Sequence, residues 1–221
     1  MEDPADCILR DPPSKTSYKQ YVITKITCFH EQQLRNIAAN NSQMKYFNVS
    51  VLGLTGRIYP ALCNIFTPLD VKKSRPHLKM LMGDYLTYQT RADRFNRNKD
   101  TYSKPDISGP GSPRCRQDNC VSDCESLSHI IALCPAYADL RRRIQYEYSY
   151  ACSLTQNKLN FEDILADTDT FTQLVIDPAS LNLKNRVNIN YPILPTFYKI
   201  SRNYCYSIHV TRTKNLKAKF A

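Results

Sequence analysis

The sequence predicts a mostly α-helical, irregular fold, broken by a mobile linker and by a small cysteine-rich insertion. Three observations predict it. Apolar residues recur at three-, four- and five-residue steps along most of the chain, the spacing of a helix face. Pro60, Pro68, Pro76, Pro135 and Pro192 stand at the edges of those runs, where proline opens or stops a helix. Four thiols and an imidazole crowd between Cys115 and Cys134, spaced C-x4-C-x3-C-x4-H-x4-C.

Taken in order, residues 1–13 carry three prolines and four acids and read as an extended, mobile lead-in. A helix follows. Tyr18, Val22, Ile26, Phe29, Leu34 and Ile37 form its stripe, Ser14 or Ser17 caps its start, and Asn40-Asn41 marks its end. Val49, Val51 and Leu52 with Gly53 and Gly56 suggest a short strand or an extended, turn-rich segment, and a helix restarts after Pro60. Thr67-Pro68 opens a further helical stretch. Pro76 then sits where another helix would begin, with Leu78, Leu81, Met82, Tyr85 and Leu86 on one buried stripe. Gly83 inside that stripe marks either a close helix–helix approach or a break.

Residues 95–113 are polar, basic and rich in proline, the composition of a linker. A short helix is expected from Glu125 to Leu133, stopped by Pro135. The next helix carries Tyr137, Leu140, Ile144 and Tyr148 inside, with Asp139, Arg143 and Glu147 pairing at four-residue intervals outside. Short helices at 161–165 and 171–176 follow. A last helix spans 192 to about 217, with Ile193, Phe197, Ile200, Tyr204 and Ile208 on one side. The expected organisation is therefore a lead-in (1–13), an N-terminal helical region (14–94), a linker (95–113), the cysteine insertion with its following helix (114–152), and a C-terminal helical region with a basic tail (153–221).

Thiolate and imidazole are the ligands that structural zinc prefers, and four of them close a tetrahedron. The insertion thus reads as a zinc knuckle. Its ligands are Cys120, His129 and Cys134, joined by Cys115 or by Cys124. On an α-helix, positions five apart are rotated by about 140°, so His129 and Cys134 do not share a face. Residues before proline avoid the α conformation. The helix is therefore expected to end at Cys134, which turns back toward the metal. The other cysteines (Cys7, Cys28, Cys63, Cys152 and Cys205) read as small buried hydrophobes.

The formal net charge is +10, which favours anionic partners. Nine bases stand against three acids between Lys72 and Lys104, and the last 23 residues hold six bases and no acid. Lys72, Lys73, Arg75, Arg91, Arg94, Arg97, Arg141, Arg142 and Arg143 are the candidate phosphate contacts, with Tyr102 or Tyr137 stacking on unpaired bases. RNA or DNA is the expected partner. The alternative is a protein-interaction module that zinc merely holds in shape. No run of about 18 apolar residues is present, so no membrane helix is expected, and the acidic start does not fit a secretory signal. Nucleus or cytoplasm is the expected location.

Catalysis is not expected. A catalytic zinc keeps an open position and a general acid/base, and Glu125 has only adjacency to offer. No base-and-orienter set supports a Cys–His hydrolase. No Tyr/Phe-x-Asp-Asp polymerase signature exists; Ala166-Asp167-Thr168-Asp169 is not one.

The run LKMLMGDYLTY (78–88), a basic spacer, and CRQDNC…SHIIALCPAY (115–137) before an Arg-rich helix resemble the C-terminal region of non-LTR (LINE-like) retrotransposon polyproteins. NSQMKYFNVSVLGLTGRIYPAL (41–62) and DPASLNLKNRV…YPILPTFYKISRNYCYSIHVTR (177–212) look similar to further parts of that tail. The resemblance covers about residues 15 to 217. It implies a zinc knuckle downstream of a reverse transcriptase, helping to hold template RNA or target DNA, with the polymerase itself absent here. The family pattern C-x2-C-x7-8-H-x4-C falls on Cys120, His129 and Cys134. Its first cysteine would fall on Gln117, and Cys115 lies two residues earlier, so Cys115 and Cys124 both remain candidates for the fourth ligand.

Overall fold

The architecture is that of a computed structural model describing residues 14–40, 44–51, 59–97, 112–117, 119–154, 161–183 and 193–220. Among these residues the regular structure is helical and no β-strand occurs. The expected lead-in at 1–13, Cys7, Tyr102 and residues 98–111 of the expected linker lie outside the described residues, and a helix from Tyr88 to Arg97 runs into the linker's first three positions. The chain divides into two units, Met1–Ser42 and Gln43–Ala221.

In the first unit, α1 runs from Lys15 to Asn40. Ser14 caps it: its hydroxyl accepts from Ser17 N at 3.2 Å, and its carbonyl takes the first helical bond from Tyr18 N. The expected stripe is present in spacing, but no residue of α1 is buried. Tyr18, Ile26, Phe29 and Ile37 are exposed, and so is Cys28.

In the second unit, Val49–Val51 form a 3₁₀ turn, while Leu52, Gly53 and Gly56 of the segment expected to be a strand or turn-rich lie outside the described residues. A 3₁₀ turn at Pro60–Leu62 stands where a helix was expected to restart. α2 spans Pro68–Leu81. Thr67 and Asp70 form a reciprocal capping box at its start, with Pro68 in the first turn. Pro76 does not begin a helix; it lies buried inside α2. The capping box had already opened the helix two turns earlier.

Of the two readings open for Gly83, the break is the one found. Its φ is 70°, the left-handed region that costs glycine least. Asp84 N bonds Lys79 O at 2.8 Å and Gly83 N bonds Met80 O at 3.3 Å, the two bonds of a Schellman stop. Leu81 is therefore the last residue of α2, and Met82 and Leu86 leave the expected stripe for solvent. Gly83→Ala is expected to cost about 1 kcal/mol, because alanine at positive φ clashes through Cβ. Urea unfolding measures it; an unchanged midpoint would mean that the turn is not held as described.

α3 (Tyr88–Arg97) starts anew. Thr87 Oγ accepts from Thr90 N at 3.0 Å while Thr90 Oγ accepts from Thr87 N at 2.8 Å. After the cysteine insertion come α4 (Ala138–Leu154), α5 (Phe161–Ala166), α6 (Thr168–Ile176), α7 (Pro178–Leu183) and α8 (Leu194–Phe220). Tyr137, in the 3₁₀ turn just before α4, and Tyr148 within α4 are fully buried, and Ile144 nearly so. Arg143 pairs with Glu147 at 2.9 Å as expected, but Asp139 pairs with Arg142.

α6 is buried from Thr170 to Ile176 on every face, the mark of a helix enclosed by others. α5 and α7 flank it, and α8 crosses it. α8 is the spine of the unit, packing on α2, α4, α6 and α7. All five of its expected inward residues are buried, together with Tyr198, Ser201 and Cys205.

Two buried polar groups tie these helices. Asp177, at the α6–α7 junction, is fully buried. Its carboxylate accepts from Tyr59 at 2.5 Å, and from Ser180 and Tyr198, so three hydroxyls from three parts of the chain offset its desolvation. His77 of α2 is also buried, and its Nε2–H donates to Ile176 O at 2.8 Å, serving a carbonyl orphaned at the end of α6.

Burial, helped by nearby Arg202 and opposed by the bond to Ile176 O, brings the His77 pKa down to about 4. An unfolded histidine protonates near 6.5, so between about 6.5 and about 4 the unfolded state binds the extra proton. Stability is thus whole above pH 6.5 and falls as pH drops through that window, by up to about 3 kcal/mol. Denaturation of wild type and His77→Gln at pH 7.5 and 4.5 checks this. The two proteins should differ in pH dependence by roughly that amount; parallel curves would show that His77 protonates within the fold.

Candidate metal centre

The cysteine insertion is a loop closed on itself. Cys115 N bonds Ser122 O at 3.0 Å, and Glu125 N bonds Pro113 O at 2.7 Å, tying the two arms together. At the tip, Asn119 takes φ 59°, a left-handed turn that asparagine tolerates better than most residues. Cys120 N bonds Gln117 O at 3.3 Å across it. Cys115 and Cys120 thereby face the same side.

The other half begins at Ser126, whose hydroxyl accepts from His129 N at 3.0 Å and caps a short helix. From His129 to Leu133 that helix widens into a π turn, closed by Cys134 N to His129 O at 2.7 Å. The helix ends at Cys134 as expected, and Cys134 adopts φ −57°, ψ 123° before Pro135. The π turn is the means by which its side chain returns. An i→i+5 bond stacks residues five apart over one another, as the i→i+4 bond does for residues four apart in an α-helix. The rotation that separates His129 from Cys134 on an α-helix is thus largely removed.

The structure brings together Cys115, Cys120, His129 and Cys134. Their donor atoms all lie within 4.8 Å of one another. Cys115 Sγ stands 3.9 Å from Cys134 Sγ, and Cys120 Sγ 3.3 Å from His129 Nε2. Cys115, His129 and Cys134 are buried and Cys120 is half-buried. Cys124 is not part of this group. Three thiols and one imidazole at such distances can hold a metal ion. Hydrogen bonding to Cys134, with burial, raises the Cys115 thiol well above the usual range, and the same bond lowers Cys134. Burial raises Cys120. A bound cation acts against the two upward shifts, since each thiol loses its proton on ligation.

Sequence reasoning did not find the groups that hold the cluster in place. Glu125 is fully buried. Its carboxylate accepts from Tyr88 N at 3.0 Å and from Arg212 of α8 at 2.7 Å, and Cys115 Sγ lies 3.7 Å from its other oxygen. Glu125 is thus bound to α3 and α8. Gln117 accepts from Asn215 of α8 at 2.9 Å, so the position where the resemblance would place a ligand instead anchors the loop. Arg141 donates to Cys134 O at 2.7 Å and to Leu133 O at 3.5 Å, satisfying carbonyls left open where the helix ends.

The candidate phosphate contacts fall in several places. Lys72 and Arg75 are exposed on α2, Lys73 is half-buried there, and Arg91 is exposed on α3. The side chains of Arg94 and Arg97 lie outside the described residues. Arg141 is engaged at the cluster, Arg142 with Asp139 and Arg143 with Glu147. Tyr137 is 0% exposed, so it is a core residue and presents no face to a base. Asp167 caps α6 and Asp169 pairs with Lys45 at 2.8 Å. Cys152 and Cys205 are buried as expected, whereas Cys63 is half-buried.

Fold and site together define a mostly helical protein with a Cys3His cluster able to hold a metal. Compared with known proteins, the chain matches no family model, no curated protein and no solved structure. No helix among the described residues is long and apolar enough to cross a membrane.

Proposed function

We propose that the chain is a zinc-organised helical module that binds RNA or DNA through phosphate contacts and carries no catalytic chemistry of its own. The observation that carries the metal half is the donor set. In a zinc tetrahedron with bonds of about 2.3 Å to sulfur and 2.0–2.1 Å to nitrogen, sulfurs lie about 3.8 Å apart and sulfur and nitrogen about 3.6 Å. The separations of 3.9 Å and 3.3 Å fall close to those edges. Four protein donors fill a tetrahedron and leave no site for a water, which favours a structural ion over a catalytic one.

The nucleic-acid half rests on the net charge of +10 and on exposed bases such as Lys72, Arg75 and Arg91. The resemblance to the C-terminal region of non-LTR retrotransposon polyproteins points the same way, with Cys115 in place of the family's first cysteine. Nucleus or cytoplasm is the corresponding location. Fluorescence anisotropy with labelled RNA and DNA tests the proposal. Affinity should fall steeply between about 50 and 200 mM salt as counterions return to the strand; a flat response would remove phosphate recognition.

A protein-interaction module is the second reading. What favours it is α1, where Ile26, Phe29 and Ile37 are exposed. Replacing those three by serine should abolish a protein contact and leave nucleic-acid affinity unchanged.

A further inference from the structure

We infer that a groove between α2 and α8 is the place where a single strand of nucleic acid lies, an assignment that rests on the nucleic-acid reading above. The groove measures about 770 Å³. From α2 it is lined by Lys72, Arg75 and Lys79, and from α8 by Tyr206 and Lys214, with Tyr85 from the turn after Gly83. Both helices present faces at i, i+3, i+4 and i+7 spacing, so each wall is one continuous stripe.

Charge selects the ligand. No acidic side chain lines the groove. None of its four cations has an ion-pair partner among the described residues. The contrast with α4 is direct, because Arg142 and Arg143 there are paired with acids on their own helix. Four unneutralised cations facing one another repel, and an anion in the groove relieves that repulsion.

Length selects a chain of phosphates over a single one. Lys72 and Lys79 are seven residues apart, about 10 Å along the axis of α2, and Lys214 stands on the opposite wall. One phosphate could be reached by neighbouring cations of one wall, but successive phosphates can engage the length of the stripe and the facing wall together. The aromatic rings select an unpaired strand. Tyr206 is half-buried and so keeps part of its ring accessible to a base, a contact worth about 1–3 kcal/mol in single-strand sites. Tyr85 forms the floor. It is 6% exposed, and its hydroxyl lies 3.4 Å from His209 Nδ1. A duplex keeps its base faces inside the stack and has nothing to offer the accessible part of Tyr206.

The test uses the full chain, loaded with zinc, and an oligouridylate about a dozen nucleotides long, within the usual range of single-strand sites. Two groove variants, Lys72→Glu/Arg75→Glu and Lys79→Glu/Lys214→Glu, are compared with Lys15→Glu/Lys19→Glu on α1, which changes the net charge equally. All six positions are exposed, so folding should survive, as circular dichroism can verify. Each groove variant should weaken binding at least about tenfold and reduce the salt slope by about 1.4, two contacts at about 0.7 each. The α1 variant should change affinity less than about threefold, the share that a distant charge exerts through screening salt. If wild type binds and all three variants behave alike, the groove assignment fails while nucleic-acid binding stands. If free uridine monophosphate or a duplex of the same length binds as tightly as the strand, the single-strand assignment fails. If wild type binds none of these probes at low salt, the underlying reading fails and the groove with it.

Discussion

Serine at Cys134 is expected to release the metal and destabilise the protein by more than about 4 kcal/mol, the range reached when a buried site is lost. Cys134 Sγ is fully buried and lies 3.9 Å from Cys115 Sγ. A serine hydroxyl is a poor zinc ligand, and the three remaining donors would have to recruit water into a closed site. Structural zinc contributes an apparent 10–16 kcal/mol, roughly, in peptides that fold only with metal. The expected loss is set below that range, because α6 and α8 bury a large apolar core of their own. For a chain of this length, 4 kcal/mol corresponds to a thermal midpoint lowered by about 10 °C or more. Metal analysis and thermal melts measure both effects. Cys115→Ser should behave like Cys134→Ser, and Cys124→Ser should keep one ion per chain with little change in stability. Retention of stoichiometric zinc by Cys115→Ser, with loss in Cys124→Ser, would transfer the fourth ligand to Cys124 and contradict the geometry.

The donor types of this site were legible in the sequence because ligand chemistry is local: spacing confines three thiols and an imidazole to one loop and one short helix. The choice between Cys115 and Cys124 was not legible. It depends on the backbone bonds from Cys115 N to Ser122 O and from Glu125 N to Pro113 O, which fold the first cysteine inward and leave Cys124 beside the group. The end of the helix at Cys134 followed from Pro135, but the π turn did not, because no residue type announces an i→i+5 bond.

The fold divides in the same way. Helices with strong local signals were legible: Ser14 before α1, Thr67-Pro68 before α2, and the apolar stripe of α8. The helix from Pro178 to Leu183 was not foreseen, and the stripe expected over 77–88 is cut by a Schellman stop, a break that the sequence offered only as one of two readings of Gly83. Period alone could not separate these cases, since Tyr85 continues the spacing of Leu78 and Leu81 across the break. The stripe of α1 shows the opposite failure. Its spacing is helical and its side chains are exposed, because periodicity reports what a helix can bury and not whether anything covers it. The partners of Glu125 were illegible for a simpler reason: Arg212 lies 87 positions away.

That distant pair leads to the second large effect. Glu125→Ala is expected to cost about 3–5 kcal/mol, because it leaves Arg212 charged and largely enclosed. Only 13% of the Arg212 side chain and none of Glu125 is exposed. The guanidinium lies over Tyr85 at 5.7 Å and Tyr88 at 5.4 Å, so water cannot readily replace the lost carboxylate. Arg212→Met should cost a similar amount, since the carboxylate then sits unpaired beside Cys115. The double replacement Glu125→Gln/Arg212→Met should cost less than the two single changes summed. It removes both charges at once, and an amide oxygen can still accept from Tyr88 N. The coupling in such a cycle, read from urea midpoints at constant zinc, should exceed about 2 kcal/mol. The surface pair of Arg142 and Asp139, with side chains 78% and 88% exposed, is the internal standard, where less than about 1 kcal/mol is expected. Equal small coupling at both pairs would mean that water reaches Glu125, and the rigid link from the metal loop to α8 would have to be abandoned. A large coupling at Glu125 alone would explain how a loop with few apolar residues is held to the helical core: one buried charge on the loop is answered by one on α8.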